Sequence, residues 1–254
     1  MGEVTVEFDA RQPARNHLYI GCAGWSIPKE HTACFPEEGT HLERYARVFP
    51  AVEINSSFYR PHKPATYERW AASVPEGFRF AVKVPKTITH IRRLREANTE
   101  LEVFLSECEH LGPKLGPLLV QLPPTLKFDE QTVDAFFSAF RERFSGDVAC
   151  EPRHPTWFAP EPDAILSAHQ VARVAADPSI VPAAAEPGGW GGLVYYRLHG
   201  SPRIYYSAYP TDYLEAIAGK LAESMARGVQ TWCIFDNTAE GAATGDALAV
   251  MSDV

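Results

Sequence analysis

The sequence predicts an α/β fold: a single (β/α)8 barrel of the TIM type with a reduced crossover between strands six and seven. Three observations carry that expectation. Apolar runs alternate with helical patterns eight times along 254 residues, the usual size of one such barrel. Several runs end in charged residues, and parallel α/β folds build their sites at the C-terminal ends of strands. No linker or composition shift divides the chain. Residues 1–254 are therefore expected to form one domain, with 1–16 as an N-terminal extension and 178–192 as an irregular Pro/Gly-rich loop. A doubly wound sheet is the alternative.

The elements follow in order. Leu18 to Trp25 reads as strand one, ending in Gly21-Cys22-Ala23-Gly24, and His41 to Phe49 has helical spacing. Val52 to Tyr59 alternates as strand two, with Glu53, Asn55 and Ser57 on one face. A helix from Pro64 to Val74 follows, with proline in its first turn. Phe78 to Pro85 is strand three, then a loop reaches His90, and Glu100 to Leu111 is helical. Leu118 to Pro123 is strand four. Asp129 caps an amphipathic helix with Val133, Phe136, Phe137 and Phe140 on its apolar stripe. Val148 to Arg153 is strand five, Pro162 to His169 a short helix, and Ala172 to Asp177 strand six. Pro182, Pro187 and Gly188-Gly189-Trp190-Gly191-Gly192 then leave no room for a full helix. Leu193 to Gly200 is strand seven. Thr211 to Arg227 is a helix closed by Gly228, Gln230 to Asn237 is strand eight, and Gly241 to Met251 is the last helix.

Composition narrows the function classes. Net charge is −8, which argues against nucleic acid or an anionic membrane as the main partner. The five cysteines are scattered and form no CxxC, so a disulfide framework or structural zinc is not expected. Cys22 and Cys150 read as core residues. No signal core or membrane span is visible, and a cytoplasmic protein is expected.

The strand ends supply the chemistry. Glu53 and Glu151 point inward by alternation, and carboxylates in a partly dry pocket suit acid/base work. Lys83, Arg153 and Arg197 add cations suited to an anionic ligand, or they simply neutralise those carboxylates. His199 follows Arg197 on the same face and could carry a proton. Asn55 and Gln121 are inward amides for hydroxyl or carbonyl groups. Trp25 and Tyr59 could give a stacking wall, His154 a loop contact, and Asp236-Asn237 a polar end to strand eight. A divalent cation on Asp236 and the glutamates is compatible with the residue types, but no HExxH-like spacing supports it, so no metal ligands are assigned and no cofactor is implied.

These motifs converge on a known group. Gly21-Cys22-Ala23-Gly24-Trp25, Glu53-Ile54-Asn55-Ser56-Ser57-Phe58-Tyr59 and Phe80-Ala81-Val82-Lys83-Val84-Pro85 run in order with Gln121-Leu122-Pro123-Pro124, Glu151-Pro152-Arg153-His154, Tyr196-Arg197-Leu198-His199-Gly200 and Asp236-Asn237. The chain thereby resembles the YecE-like family (domain of unknown function 72). The resemblance implies a TIM-type barrel with a polar pocket at these strand ends, and no assigned reaction. It also leads to Asn-Asn at the end of strand eight, where this chain has Asp236-Asn237. The expected function is an enzyme on a small polar or anionic, sugar-like or phosphorylated ligand. Glu151 or Glu53 would be general acid/base, with His199 assisting. The alternatives are a non-catalytic small-molecule sensor and a metal-dependent nucleic-acid-processing barrel.

Overall fold

The computed structural model describes residues 17–254, so the expected N-terminal extension lies outside the described residues. Among the described residues ten strands form one sheet. They are β1 (Leu18–Ala23), β2 (Ala51–Ile54), β3 (Arg79–Lys83), β4 (Leu115–Gln121), β5 (Val148–Glu151), β6 (Val171–Arg173), β7 (Ala175–Asp177), β8 (Gly188–Gly189), β9 (Leu193–Leu198) and β10 (Gln230–Phe235). Their order is β7-β9-β10-β1-β2-β3-β4-β5-β6-β8, parallel throughout except for the short β6–β8 pair. The expected sixth strand is split at Val174. Its first half pairs with β5 and its second with β9. The two ends of the ladder are therefore neighbours in one stretch of chain, and the sheet is a nearly closed barrel.

Helices α1 (His41–Ala46), α2 (Ser56–Tyr59), α3 (Pro64–Ala72), α4 (Asn98–Cys108), α5 (Glu130–Arg141), α6 (Pro160–Ala168), α7 (Thr211–Ala226) and α8 (Ala242–Ser252) lie between and after the strands. Local chemistry sets their ends. The Thr40 hydroxyl accepts from the Glu43 N–H, and the Glu43 carboxylate accepts from the Thr40 N–H, a closed capping box on α1. Asp129 accepts from the Thr132 N–H to start α5. That helix buries Val133, Phe136, Phe137 and Phe140, each phenylalanine contributing roughly 1.5–3 kcal/mol.

Strand two differs from its expected length. The ladder stops at Ile54, and Ser56–Tyr59 turn into α2. The Ser57 hydroxyl bonds the carbonyls of Ile54 and Lys83 at 3.0 and 2.7 Å. Asn and Ser side chains that bond nearby backbone compete with strand pairing. Alternation therefore ends before Tyr59, which swings outside and is 69% exposed.

Segment 178–192 is the reduced crossover. It carries a single 3-10 turn, Pro182–Ala185, and the β8 pair. Arg173 ties it down, donating to the carbonyls of Ala183 and Glu186 while pairing with Asp163 at 2.7 Å. A side chain at Gly188 would meet that guanidinium at 2.2 Å. A cavity of about 140 Å³, lined by Ala175, Ala185, Tyr196, Tyr213 and Ile217, lies beside the crossover between the wall and α7.

Inside the barrel the residues change character in one step. Ala51, Ala81, Leu119, Ala149, Tyr195, Trp232 and Ile234 form an apolar cluster of their own. Trp232 stacks between Tyr19 and Tyr195, with centroids 4.7 and 5.9 Å away. Gly116 leaves space for the indole, since a Cβ there would lie 2.7 Å from it. The alanines opposite let these rings fill the bore. Two residues further along the strands stand Glu53, Lys83, Gln121, Glu151, Arg197 and Asp236. No described helix is long and apolar enough to cross a membrane.

Candidate functional site

Arg197 is the hub of the barrel mouth. It lies at the fifth position of β9, and its residue is fully buried. Its Nε and Nη2 donate to the two carboxylate oxygens of Glu53 at 3.0 and 2.6 Å. Nη1 donates to Glu151 Oε2 at 2.6 Å, and Nη2 also reaches Asp236 Oδ2 at 3.0 Å. Tyr195, two residues earlier on the same face, donates its hydroxyl to Glu53 Oε2 at 2.9 Å. Strands β2, β5 and β9 and the end of β10 are thus clasped by one guanidinium.

A second chain of contacts runs along the open side. Arg153 Nε donates to Glu151 Oε1 at 2.6 Å. Arg153 Nη2 and Glu151 Oε1 stand 2.8 and 3.0 Å from His199 Nε2, and His199 Nδ1 is 3.0 Å from Asp236 Oδ2. Nε2 can therefore accept from the arginine or donate to the glutamate, while Nδ1 faces a carboxylate in either case. Tyr205, at φ +72°, lays its ring edge-on to the imidazole at 5.8 Å.

The charges set one another. Burial alone would raise the Glu151 carboxyl, but Arg153, Arg197 and His199 hold it well below the usual range. Burial opposes the charge on Arg197, and Glu53, Glu151 and Asp236 reverse that and hold its pKa well above the ordinary value. Asp236 is likewise kept low against burial, chiefly by Arg197 and His199. Burial keeps Tyr195 a phenol, with Glu53 acting in the same direction. Lys83 differs. Burial, and next the charge of Arg197, bring its ammonium down to about 8 against the pull of the carboxylates. Its Nζ sits 4.4 Å over the Phe58 ring and makes no hydrogen bond or ion pair among the described residues.

Glu53, Lys83, Glu151, Arg153, Arg197, His199 and Asp236 therefore come together, and Asn55 joins them with Nδ2 3.4 Å from Asp236 Oδ1. Asn55 Oδ1 is buried with no partner. Gln121 ends β4 in register with Glu151. The other expected residues make contacts outside this cluster. His154 caps a 3-10 turn by accepting from the Thr156 N–H. Trp25 packs edge-on to Trp70, and Tyr59 lies outside with Lys86 over its ring. Asn237 braces the next loop through Ser207 O and Asp246 Oδ2. Burial holds Cys22 up at about 12, consistent with its reading as core, and Cys150 is buried too. Among the described residues no set of three His, Cys, Asp or Glu side chains could hold a metal ion; the mouth carboxylates face guanidinium groups instead. Tyr195 was legible as an inward partner of Arg197 by its i−2 spacing, whereas Tyr205 had no such signal.

Known proteins share this architecture. A DUF72 family protein from Enterococcus faecalis superposes with a TM-score of 0.77 at 22% identity, covering 93% of this chain and 94% of that one. A DUF72 family protein from Thermotoga maritima gives 0.76 at 24%, covering 92% and 98%. In sequence, the chain is 36% identical over 144 residues to the UPF0759 protein YecE of Escherichia coli, which is 56% of this chain and 50% of that protein. The UPF0759 protein YunF of Bacillus subtilis is 30% identical over 154 residues, 56% and 53% of the respective lengths. The chain thus spans about half the length of the curated relatives it matches. The family model described as "Protein of unknown function DUF72" matches residues 19–254, and with the barrel and its polar mouth in view, the chain belongs to that family.

Proposed function

We propose that the protein is an enzyme that binds a small polar, anionic ligand at the C-terminal mouth of the barrel and moves a proton on it. One observation carries this reading. In a cluster where the other charges are paired, Lys83 Nζ makes no hydrogen bond or ion pair among the described residues and only faces the Phe58 ring, and a buried acceptor, Asn55 Oδ1, has no hydrogen-bond partner. Buried polar groups such as Asn55 Oδ1 are rarely left so, and beside the ionic cluster a ligand that completes the bonding accounts for both atoms. Arg153, whose side chain is 19% exposed, would receive the anion. Arg197 would position Glu53 and Glu151 rather than touch the ligand, since it is wholly enclosed. His199 would be the proton carrier, oriented by Asp236 in the manner of a carboxylate–imidazole pair. With its carboxyl held low, Glu151 would act as a fixed electrostatic partner, not as a proton donor or acceptor.

A thermal-shift panel of small carboxylates, keto acids and sugar phosphates tests this. A ligand at 100 times its Kd stabilises by about 2.7 kcal/mol, or roughly 5–10 °C for a chain of this size. The shift should vanish in Arg153→Ala and Asn55→Ala. His199→Gln should keep the shift and lose turnover; full turnover in that variant would sink the acid/base assignment. Binding with no turnover in the wild type would favour a sensor, a role consistent with the rigid clasp around Arg197.

A further inference from the structure

Lys83 ends β3, two residues after Ala81 on the inward face. Only 7% of it is exposed. Glu53 and Glu151 direct their oxygens at guanidinium, phenol or imidazole groups, and Asp236 divides its own among Arg197, His199 and Asn55. Lys83 is thus an amine among carboxylates that are already taken. Its place is fixed: its own carbonyl accepts from Ser57, on the same turn as the Phe58 ring beneath Nζ. The other lysines differ. Lys114 donates to two carbonyls, Lys220 pairs with Glu186, and Lys29, Lys63, Lys86 and Lys127 are exposed.

We infer that Lys83 is a covalent nucleophile that forms an imine with the carbonyl carbon of a small keto or aldehyde substrate bearing an anionic group. The inference rests on reading the mouth as the substrate site, and it names the substrate class. In the first step the Nζ lone pair adds to the carbonyl carbon, and one Nζ proton passes to the oxygen, giving a carbinolamine. Loss of the hydroxyl with the second Nζ proton releases one water and leaves C=N. Protonation of that nitrogen makes an electron sink for a pair released at the adjacent carbon, and His199, as the proton carrier proposed above, would exchange the proton there. No oxidant or reductant is needed. An amine beside another cation and removed from water is the arrangement that activates lysine for this chemistry. At pH 7.5 about a quarter of a group titrating near 8 is free amine, against about a thousandth of an ordinary lysine.

Reductive trapping tests it. The protein is incubated at pH 7.5 with pyruvate or glyoxylate and sodium cyanoborohydride, then digested and mapped by mass. The expected result is an adduct on Lys83 at least tenfold above Lys29, Lys63, Lys86 and Lys127, with a rate that rises through about pH 8. The adduct should be absent in a folded Lys83→Met variant. Labelling spread over the exposed lysines, or none at Lys83 with either probe, overturns the inference. Thermal shifts by the same two acids without reductant separate the two readings. Binding without an adduct removes the imine and leaves the mouth as a binding site.

Discussion

Two levels of the same barrel, one inward residue apart, follow opposite rules. At the lower level Ala51, Ala81, Leu119, Ala149, Tyr195 and Ile234 meet Trp232 in a dry, aromatic core. At the upper level the same strands present Glu53, Lys83, Gln121, Glu151, Arg197 and, just past β10, Asp236. The lower level gains from apolar burial, against the cost of a Trp232 indole N–H buried without a hydrogen-bond partner. The upper level has charges that cost free energy to bury, tolerable only when each meets a partner. The lower level accounts for the fold. The upper level gives nothing to stability that packed apolar residues could not supply, and an enclosed ionic layer with one member outside its ion pairs supports the proposed reading of the mouth as a site.

The largest effect should come from removing the hub. Arg197→Met leaves Glu53, Glu151 and Asp236 buried without their shared cation. Stranding buried charge in this way costs about 3–5 kcal/mol, or roughly 10 °C in Tm for a chain of this size. Adding Glu53→Gln to that variant should recover part of the loss. A melting shift below about 2 °C for Arg197→Met would mean that the two levels do not differ as described.

Alternation along apolar runs identified the inward face, and with it Glu53, Lys83, Glu151 and Arg197. It failed where the backbone left the strand: strand two is expected to run on to Tyr59, and nothing in Asn55-Ser56-Ser57 announces that Ser57 will bond the Lys83 carbonyl. His154 follows Glu151 and Arg153 in sequence, and its ring accepts from the Thr156 N–H in the turn it caps, a contact that residue type and spacing do not announce. Which charges pair was illegible for a plainer reason. Glu53 and Arg197 are 144 positions apart and meet only because the barrel closes. The sixth strand divides at Val174 for the same reason: the closure needs one chain stretch to pair on two sides.

Lys83→Met should move stability in the opposite direction. The Lys83 pKa of about 8 in the fold lies below that of an unfolded lysine, near 10.4. Below about pH 8 both states hold the proton, and the fold carries the whole penalty of a desolvated cation. As pH rises from 8 to about 10.4 the folded state has already released it, and the penalty fades. The variant should therefore melt higher than wild type at pH 7, by on the order of 3 kcal/mol, and the gap should narrow towards pH 10. A variant less stable at pH 7 would show that the ammonium is well partnered, and the upper level would then have no unmatched member.

The smallest effect tests the seam between the levels. Tyr195 belongs to both: its ring stacks on Trp232, and its hydroxyl bonds Glu53. Tyr195→Phe keeps the ring and removes only the upward bond. Glu53 Oε2 still accepts from Arg197 Nε at 3.0 Å, so the loss should be about 1 kcal/mol. In an Arg197→Met background that support is gone, and the same change should cost more, because the phenol is then the donor left to Glu53. Equal costs in the two backgrounds, read by denaturant melts, would mean that Tyr195 serves the aromatic stack alone and that the ionic level does not extend down to it.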